Sequence, residues 1–166
     1  ETGFIHGVMN TDNTSIVGDT IDYGQCAFMN YFNPKTVYSA IDTFGRYSYT
    51  NQPHICHWNL CQFASAISPL LSEDKNKSIQ IAQKQIDEFP ILFEKFWLNE
   101  ISWKLGLKKE IDTDYTLIKN LFGIMEKEKF DFTLTFKCLE TFLCNDFSNS
   151  DLFNVYNNSS RFKKWI

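Results

Sequence analysis

Asp12, Asn13 and Asp22 are residue types from which a divalent-metal site is built: a side-chain amide oxygen beside two carboxylates. They fall in two short stretches, "HGVMNTDN" at 6–13 and "IDYG" at 21–24. Hard oxygen donors suit Mg²⁺, which usually takes one or two protein ligands and keeps its other positions for water and phosphate. Asp12 adjoins Asn13 and has no basic neighbour in sequence, so it could accept a proton from a hydroxyl nucleophile held at the same metal. A purely local reading competes, because Asn and Asp also hydrogen-bond their own backbone in Asx turns. Spacing alone does not separate the two.

To bring Asp22 to Asn13 the chain must reverse between them. Gly18-Asp19, with β-branched residues on both sides in "TSIV" and "TIDY", reads as a two-residue hairpin turn. In that register Val17 faces Thr20, Ile16 faces Ile21 and Ser15 faces Asp22, with Asn13 two residues beyond. At about 3.3 Å per residue along a strand and about 4.8 Å between strands, the Asn13 and Asp22 side chains can converge.

The elements behind this edge read as helices. Apolar residues at 55, 58, 60, 63, 64, 67, 70 and 71 fit one helical stripe. Ser78 is a candidate cap for a long second helix through Ile101, which Pro90 should kink or divide. Gly106 falls near its end. A third helix is expected over 113–127 and a fourth over 131–144, capped by Asp131. Ser150 and Ser159 or Ser160 could start two short last helices. The fold class expected is mainly α: a short β-hairpin at the N-terminal end followed by a helical bundle. It is read as one domain, 1–166, with the loop and hairpin region in 1–54 and the bundle in 55–166.

Composition narrows the partners. The 166 residues include 16 Phe, 7 Tyr and 4 Trp, enough for a sizeable core. The formal net charge of −4 is spread through interspersed acids and bases. No basic block offers a footprint for a nucleic-acid backbone, so nucleic acid is not expected as a partner. The longest uncharged run, 47–72, contains Asn, Gln, His and Pro and does not suit a bilayer, so no membrane association is expected either. Five cysteines, at 26, 56, 61, 138 and 144, are an odd number without a framework and favour reduced thiols.

A more specific pattern links the two polar stretches. Protein kinases carry His-Arg-Asp-x-x-x-x-Asn and then a metal-binding Asp-Phe-Gly. Here His6 and Asn13 keep that spacing and Asp22-Tyr23-Gly24 is a variant of the second motif, but the position of the kinase base is Val8. "GFIHGVMNTDN", "TIDYG", "GRYSYTNQP" and "WKLGL" together resemble the selenoprotein O family, a pseudokinase-like group. The likeness runs from the first residues through "DFTLTF" at 131–136. Thr14 and Gln25 depart from commoner family wording, which often has Met and Pro there.

The resemblance implies a protein-kinase-like fold, of which this chain would be part of the C-lobe. It implies ATP bound in a flipped orientation and AMP transferred to Ser, Thr or Tyr hydroxyls of protein substrates. It gives Asp12 the role of proton acceptor, Asn13 that of a Mg²⁺ ligand, and Asp22 that of a Mg²⁺ ligand lying against the nucleotide phosphates, with Mn²⁺ an alternative metal. The N-lobe, with its Gly-rich loop, would precede Glu1, and the family's C-terminal end would follow Ile166. Alone, the chain is then expected to bind ATP weakly and transfer nothing. The location implied is cytoplasmic in a bacterium and mitochondrial in a eukaryote. The alternative is a non-catalytic pseudokinase module that binds nucleotide or a protein partner.

Three other features invite chemistry. His54, Cys56, His57 and Cys61 are suitable zinc donors, but they crowd one helix start without the usual separation into pairs, so a packed helix face is the stronger expectation. Phe89, Phe93, Phe96 and Trp97 at helical spacing read as core and not as a groove. Arg46, where an activation segment would run, could meet phosphate or a carboxylate, with ordinary loop pairing as the alternative.

Overall fold

In the computed structural model, residues 2–107, 112–143, 154, 156 and 158–166 are described. Among them β1 (Phe4–Ile5) pairs with β2 (Ala27–Phe28), and the helices are α1 (Gln52–Leu71), α2 (Lys75–Lys104), α3 (Asp112–Glu128), α4 (Phe132–Leu143) and a short last one, Ser160–Trp165. Single 3-10 turns stand at Thr11–Asn13 and Tyr49–Asn51. The mainly helical class with a small two-stranded sheet matches the expectation, but the sheet is not the expected one.

The hairpin about Gly18-Asp19 does not form. The chain turns two residues earlier, with the Gly18 N–H donating to the Ser15 carbonyl at 3.2 Å. Ile16, Val17 and Ile21 are 79%, 72% and 89% exposed. A hairpin needs one face buried to hold its register, and here neither side of the β-branched pair finds a core. The Val17–Thr20, Ile16–Ile21 and Ser15–Asp22 pairings are therefore not made. The strands that do pair flank the whole polar region, so that residues 6–26 form one loop closed at its base by β1 and β2.

The described residues cluster into two compact units. One comprises residues 1–4, 28–34 and 97–166, and its centre is aromatic. Phe32, Phe122, Phe132 and Phe136 stack or meet edge-to-face at centroid distances of 4.8–6.4 Å. Ile118, Leu121 and Met125 from α3 are fully buried beside them. A second group joins Phe130, Tyr156 and Phe162 at 4.5–5.6 Å. The last helix starts at the expected Ser159, whose hydroxyl accepts the Phe162 N–H. Asp131 caps α4 as expected, its carboxylate accepting the Leu134 N–H at 2.8 Å. The expected end of that helix at Cys144, and the start at Ser150, lie outside the described residues.

The other unit comprises 5–27 and 35–96. Its α1 buries only Ile55 and Asn59. The expected stripe is thus corrected: Trp58 and Phe63 are more than two-fifths exposed and Leu70 mostly so. The cap of α2 also shifts. Asp74 accepts the N–H groups of Asn76 and Lys77 at 2.8 and 3.2 Å and starts the helix a turn early. Ser78 therefore falls inside α2, buried, with its hydroxyl on Ser68 at 2.8 Å.

Pro90 does not divide α2, which runs unbroken from Lys75 to Lys104. Proline lacks the N–H that would bond the carbonyl four residues back, which is that of Ile86. The His57 ring supplies the missing donor, its Nε2 lying 3.1 Å from the Ile86 oxygen. The same ring stacks on Phe89 with an interplanar angle of 4°. At the far end, Gly106 (φ 73°) closes α2 with bonds from Gly106 N–H to Trp103 and from Leu107 N–H to Ser102, the two-bond motif that glycine favours. The aromatic stripe expected as core is only partly so: Phe89 and Trp97 are half-buried, while Phe96 is 61% exposed. Among the described residues no helix is long and apolar enough to cross a membrane.

Candidate active site

The loop 6–26 is held at four points. At its base, the Gly7 backbone lies against the residue that follows the second motif. A Cβ on Gly7 would stand 2.7 Å from the Gln25 carbonyl oxygen and 2.8 Å from a ring carbon of Tyr38. Gly7 also has φ +83°, a conformation glycine adopts without penalty. Next, the His6 N–H donates to the Gln52 side-chain oxygen at 2.9 Å. Tyr47 then donates its hydroxyl to the Asn10 side-chain oxygen.

The fourth point is Asn59. This α1 side chain is 4% exposed and spends both amide protons on the loop. One goes to the Met9 carbonyl at 3.0 Å and the other to the Thr14 hydroxyl at 2.8 Å. Thr14 in turn donates to the Asn10 carbonyl at 3.0 Å. The 3-10 turn Thr11–Asn13 is therefore gripped immediately before and immediately after itself. The Asn59 Oδ1 is buried with no hydrogen-bond partner among the described residues.

The three predicted site residues have distinct local states, and all three are exposed. Asn13 donates its amide to the Val8 carbonyl at 3.2 Å, which leaves its Oδ1 as an acceptor with open lone pairs. Asp22 accepts the Gly24 N–H on Oδ1 at 2.8 Å, an Asx-type turn that leaves its second oxygen open. Asp12 makes no side-chain bond among the described residues. The local reading is thus realised at Asp22, and the ligand reading keeps one hard oxygen on each of Asn13 and Asp22. Among the described residues no hydrogen bond joins Asp22 to Asp12 or Asn13; what they share is the closed loop. The donor set fits a hard cation such as Mg²⁺.

The second constellation does not gather. Among the described residues no three His, Cys, Asp or Glu side chains are arranged to hold a metal ion. His57 is engaged with Ile86 and Phe89, and burial pushes the Cys56 thiol up, away from the thiolate a zinc site needs.

Residues 1–166 match the family model described as "Protein adenylyltransferase SelO". The chain belongs to this family. SelO relatives include proteins named "Protein nucleotidyltransferase YdiU" from several bacteria. That of Halalkalibacterium halodurans is 54% identical over 137 residues, 82% of this chain and 28% of that protein. That of Alkaliphilus metalliredigens is 52% identical over 137 residues, with the same shares. That of Bacillus cereus is 46% identical over 163 residues, 98% of this chain and 32% of that protein. The chain thus spans less than a third of the length of these relatives.

Gly7, Gln52 and Asn59 went unread in the sequence as parts of the site. A signal existed for one of them. Asn59 stands four residues after Ile55, hence on the buried side of α1, and a polar residue there demands a partner.

Proposed function

We propose that the full-length protein transfers AMP from ATP to Ser, Thr or Tyr hydroxyls of other proteins, and that this chain supplies part of a kinase-like C-lobe to the reaction. The observation carrying this reading is the loop 6–26, closed at its base, in which Asp12, Asn13 and Asp22 keep open oxygens and the turn bearing Asp12 and Asn13 is gripped on both sides. In this reading Asn13 and Asp22 hold Mg²⁺, or Mn²⁺ in its place. A bound cation supplies charge neutralisation at the phosphates of ATP. Asp12 accepts the proton of the substrate hydroxyl as its oxygen bonds to the α-phosphorus. The bond from that phosphorus to the bridging oxygen breaks, and pyrophosphate leaves with the electron pair. Fixed geometry is the chief contribution of such a site, since phosphoryl-type transfers depend mainly on positioning and electrostatics.

The kinase base position is Val8, and its carbonyl orients Asn13. A γ-phosphate transfer of the kinase kind therefore lacks its base, whereas Asp12 remains available beside Asn13. The test uses the full-length protein with α-labelled and γ-labelled ATP, with and without Asp22→Ala. Label entering protein from the α position alone, and lost in the variant, is the expected result. Label from the γ position would make it a phosphotransferase, and no label from either would favour the non-catalytic module.

We infer too that residues 1–166 alone bind ATP weakly and transfer nothing. Micromolar affinity of this chain for ATP with Mg²⁺ by titration calorimetry would overturn that.

A further inference from the structure

Beside the loop is a cavity of about 600 Å³. One wall is the backbone just ahead of Asp12, at Gly7, Val8 and Asn10; the other is the segment 39–47. Asp12, Asn13 and Asp22 are not among its lining residues. Its volume is within the range of specific binding sites.

The charge in this cavity is uneven. Among the described residues that line it, Asp42 and Arg46 carry the formal charges, yet they do not neutralise each other. Both Asp42 oxygens accept backbone N–H groups, those of Arg46 and Tyr47, each at 2.8 Å. The Arg46 guanidinium has no ion-pair partner among the described residues. It lies 5.0 Å from the centroid of the Trp58 ring and 5.7 Å from that of Tyr47. Such stacking holds the planar group while leaving its edge of N–H donors open, which suits two-point binding of a carboxylate. At the rim Phe44 and Ile41 are 99% and 87% exposed, apolar area onto which an extended peptide could settle.

We propose that this cavity receives an acidic side chain flanking the acceptor hydroxyl of a protein substrate, with Arg46 as its specificity-determining contact. The inference rests on the adenylyltransferase reading. Nucleotide phosphate is the less suitable occupant, because the cavity borders Val8 and Asn10 and not the oxygens of Asn13 and Asp22.

The test compares two acceptor peptides that differ only in whether the residues flanking one serine are Glu or Gln, assayed with the full-length protein. The wild type should favour the Glu peptide in kcat/KM by about three- to tenfold, the range of one exposed charge-assisted contact. In Arg46→Ala that ratio should fall to one, and Arg46→Lys should restore part of it. Arg46→Glu should favour a third peptide, flanked by Lys. A wild-type ratio of one, or a ratio that survives Arg46→Ala, overturns the inference. So does a raised KM for ATP in Arg46→Ala with the ratio intact, which would assign Arg46 to the nucleotide. If neither peptide receives AMP and the protein labels no protein at all, the adenylyltransferase reading itself fails. Labelling without charge preference sinks only the role of Arg46.

Discussion

Gly7 and Gln25 touch backbone to backbone, so closely that a Cβ on Gly7 would approach the Gln25 carbonyl oxygen to 2.7 Å. This contact ties the start of the first motif to the end of the second. Gly7→Ala must displace both that carbonyl and the Tyr38 ring, and must hold a side chain at φ +83°. The expected cost is about 1–3 kcal/mol, or a fall of about 2–4 °C in Tm for each kcal/mol in a chain of this size. Transfer activity should fall further than stability does, because the loop carrying Asp12 and Asp22 loses its closure. Thermal unfolding and label incorporation in parallel would check this, and a fully active Gly7→Ala would contradict it.

Asn59 braces the same loop from α1. Asn59→Ala removes two hydrogen bonds and also the orphaned Oδ1, so the net cost should be about 1–3 kcal/mol. Thr14→Ala removes one bond, at about 1 kcal/mol. Because both act through one network, the double variant should cost less than the sum of the two. Additive losses in denaturant unfolding would show that the Asn59–Thr14 bond carries no coupling.

His57 serves α2 and not a metal. His57→Ala should strand the part-buried Ile86 carbonyl that Pro90 leaves without a donor, at about 1 kcal/mol. Replacing Pro90 with Ala restores the helical N–H, so Pro90→Ala should rescue much of the loss in a His57→Ala background. Protein purified without chelator should contain no stoichiometric zinc. Failure of the rescue in thermal melts would break the link between His57 and Pro90.

Burial pushes the thiols of Cys56 and Cys138 above their ordinary value. The sign is simple: below the raised value the thiol stays protonated, and only thiolate is alkylated readily. At mildly alkaline pH both should react with iodoacetamide more slowly in the folded protein than after denaturation. Peptide mapping by mass spectrometry would read this, and equal rates in the two states would contradict it.

What the sequence revealed divides along contact distance. The caps at Asp131 and Ser159 and the stop at Gly106 depend on bonds within a few residues, and these were legible. The hairpin at Gly18-Asp19 had correct local chemistry but no core to pack on, and burial is not a local property. Pro90 was expected to kink or divide α2, yet the helix continues, because the Ile86 carbonyl it leaves without a donor is met by His57, 29 residues from Ile86 in the chain. Asn59 reaches across 45 and 50 residues to Thr14 and Met9, a span over which spacing carries no signal. The candidate oxygens were proposed from residue type and order. How the loop is closed around them was not.

The most direct measurement is the intact mass of an acceptor protein after incubation with ATP, Mg²⁺ and the full-length protein, alongside Asp12→Asn. The account predicts a gain of one adenylate group with the wild type and none with the variant. A gain of phosphate in its place, or an adenylate gain undiminished in Asp12→Asn, would contradict it.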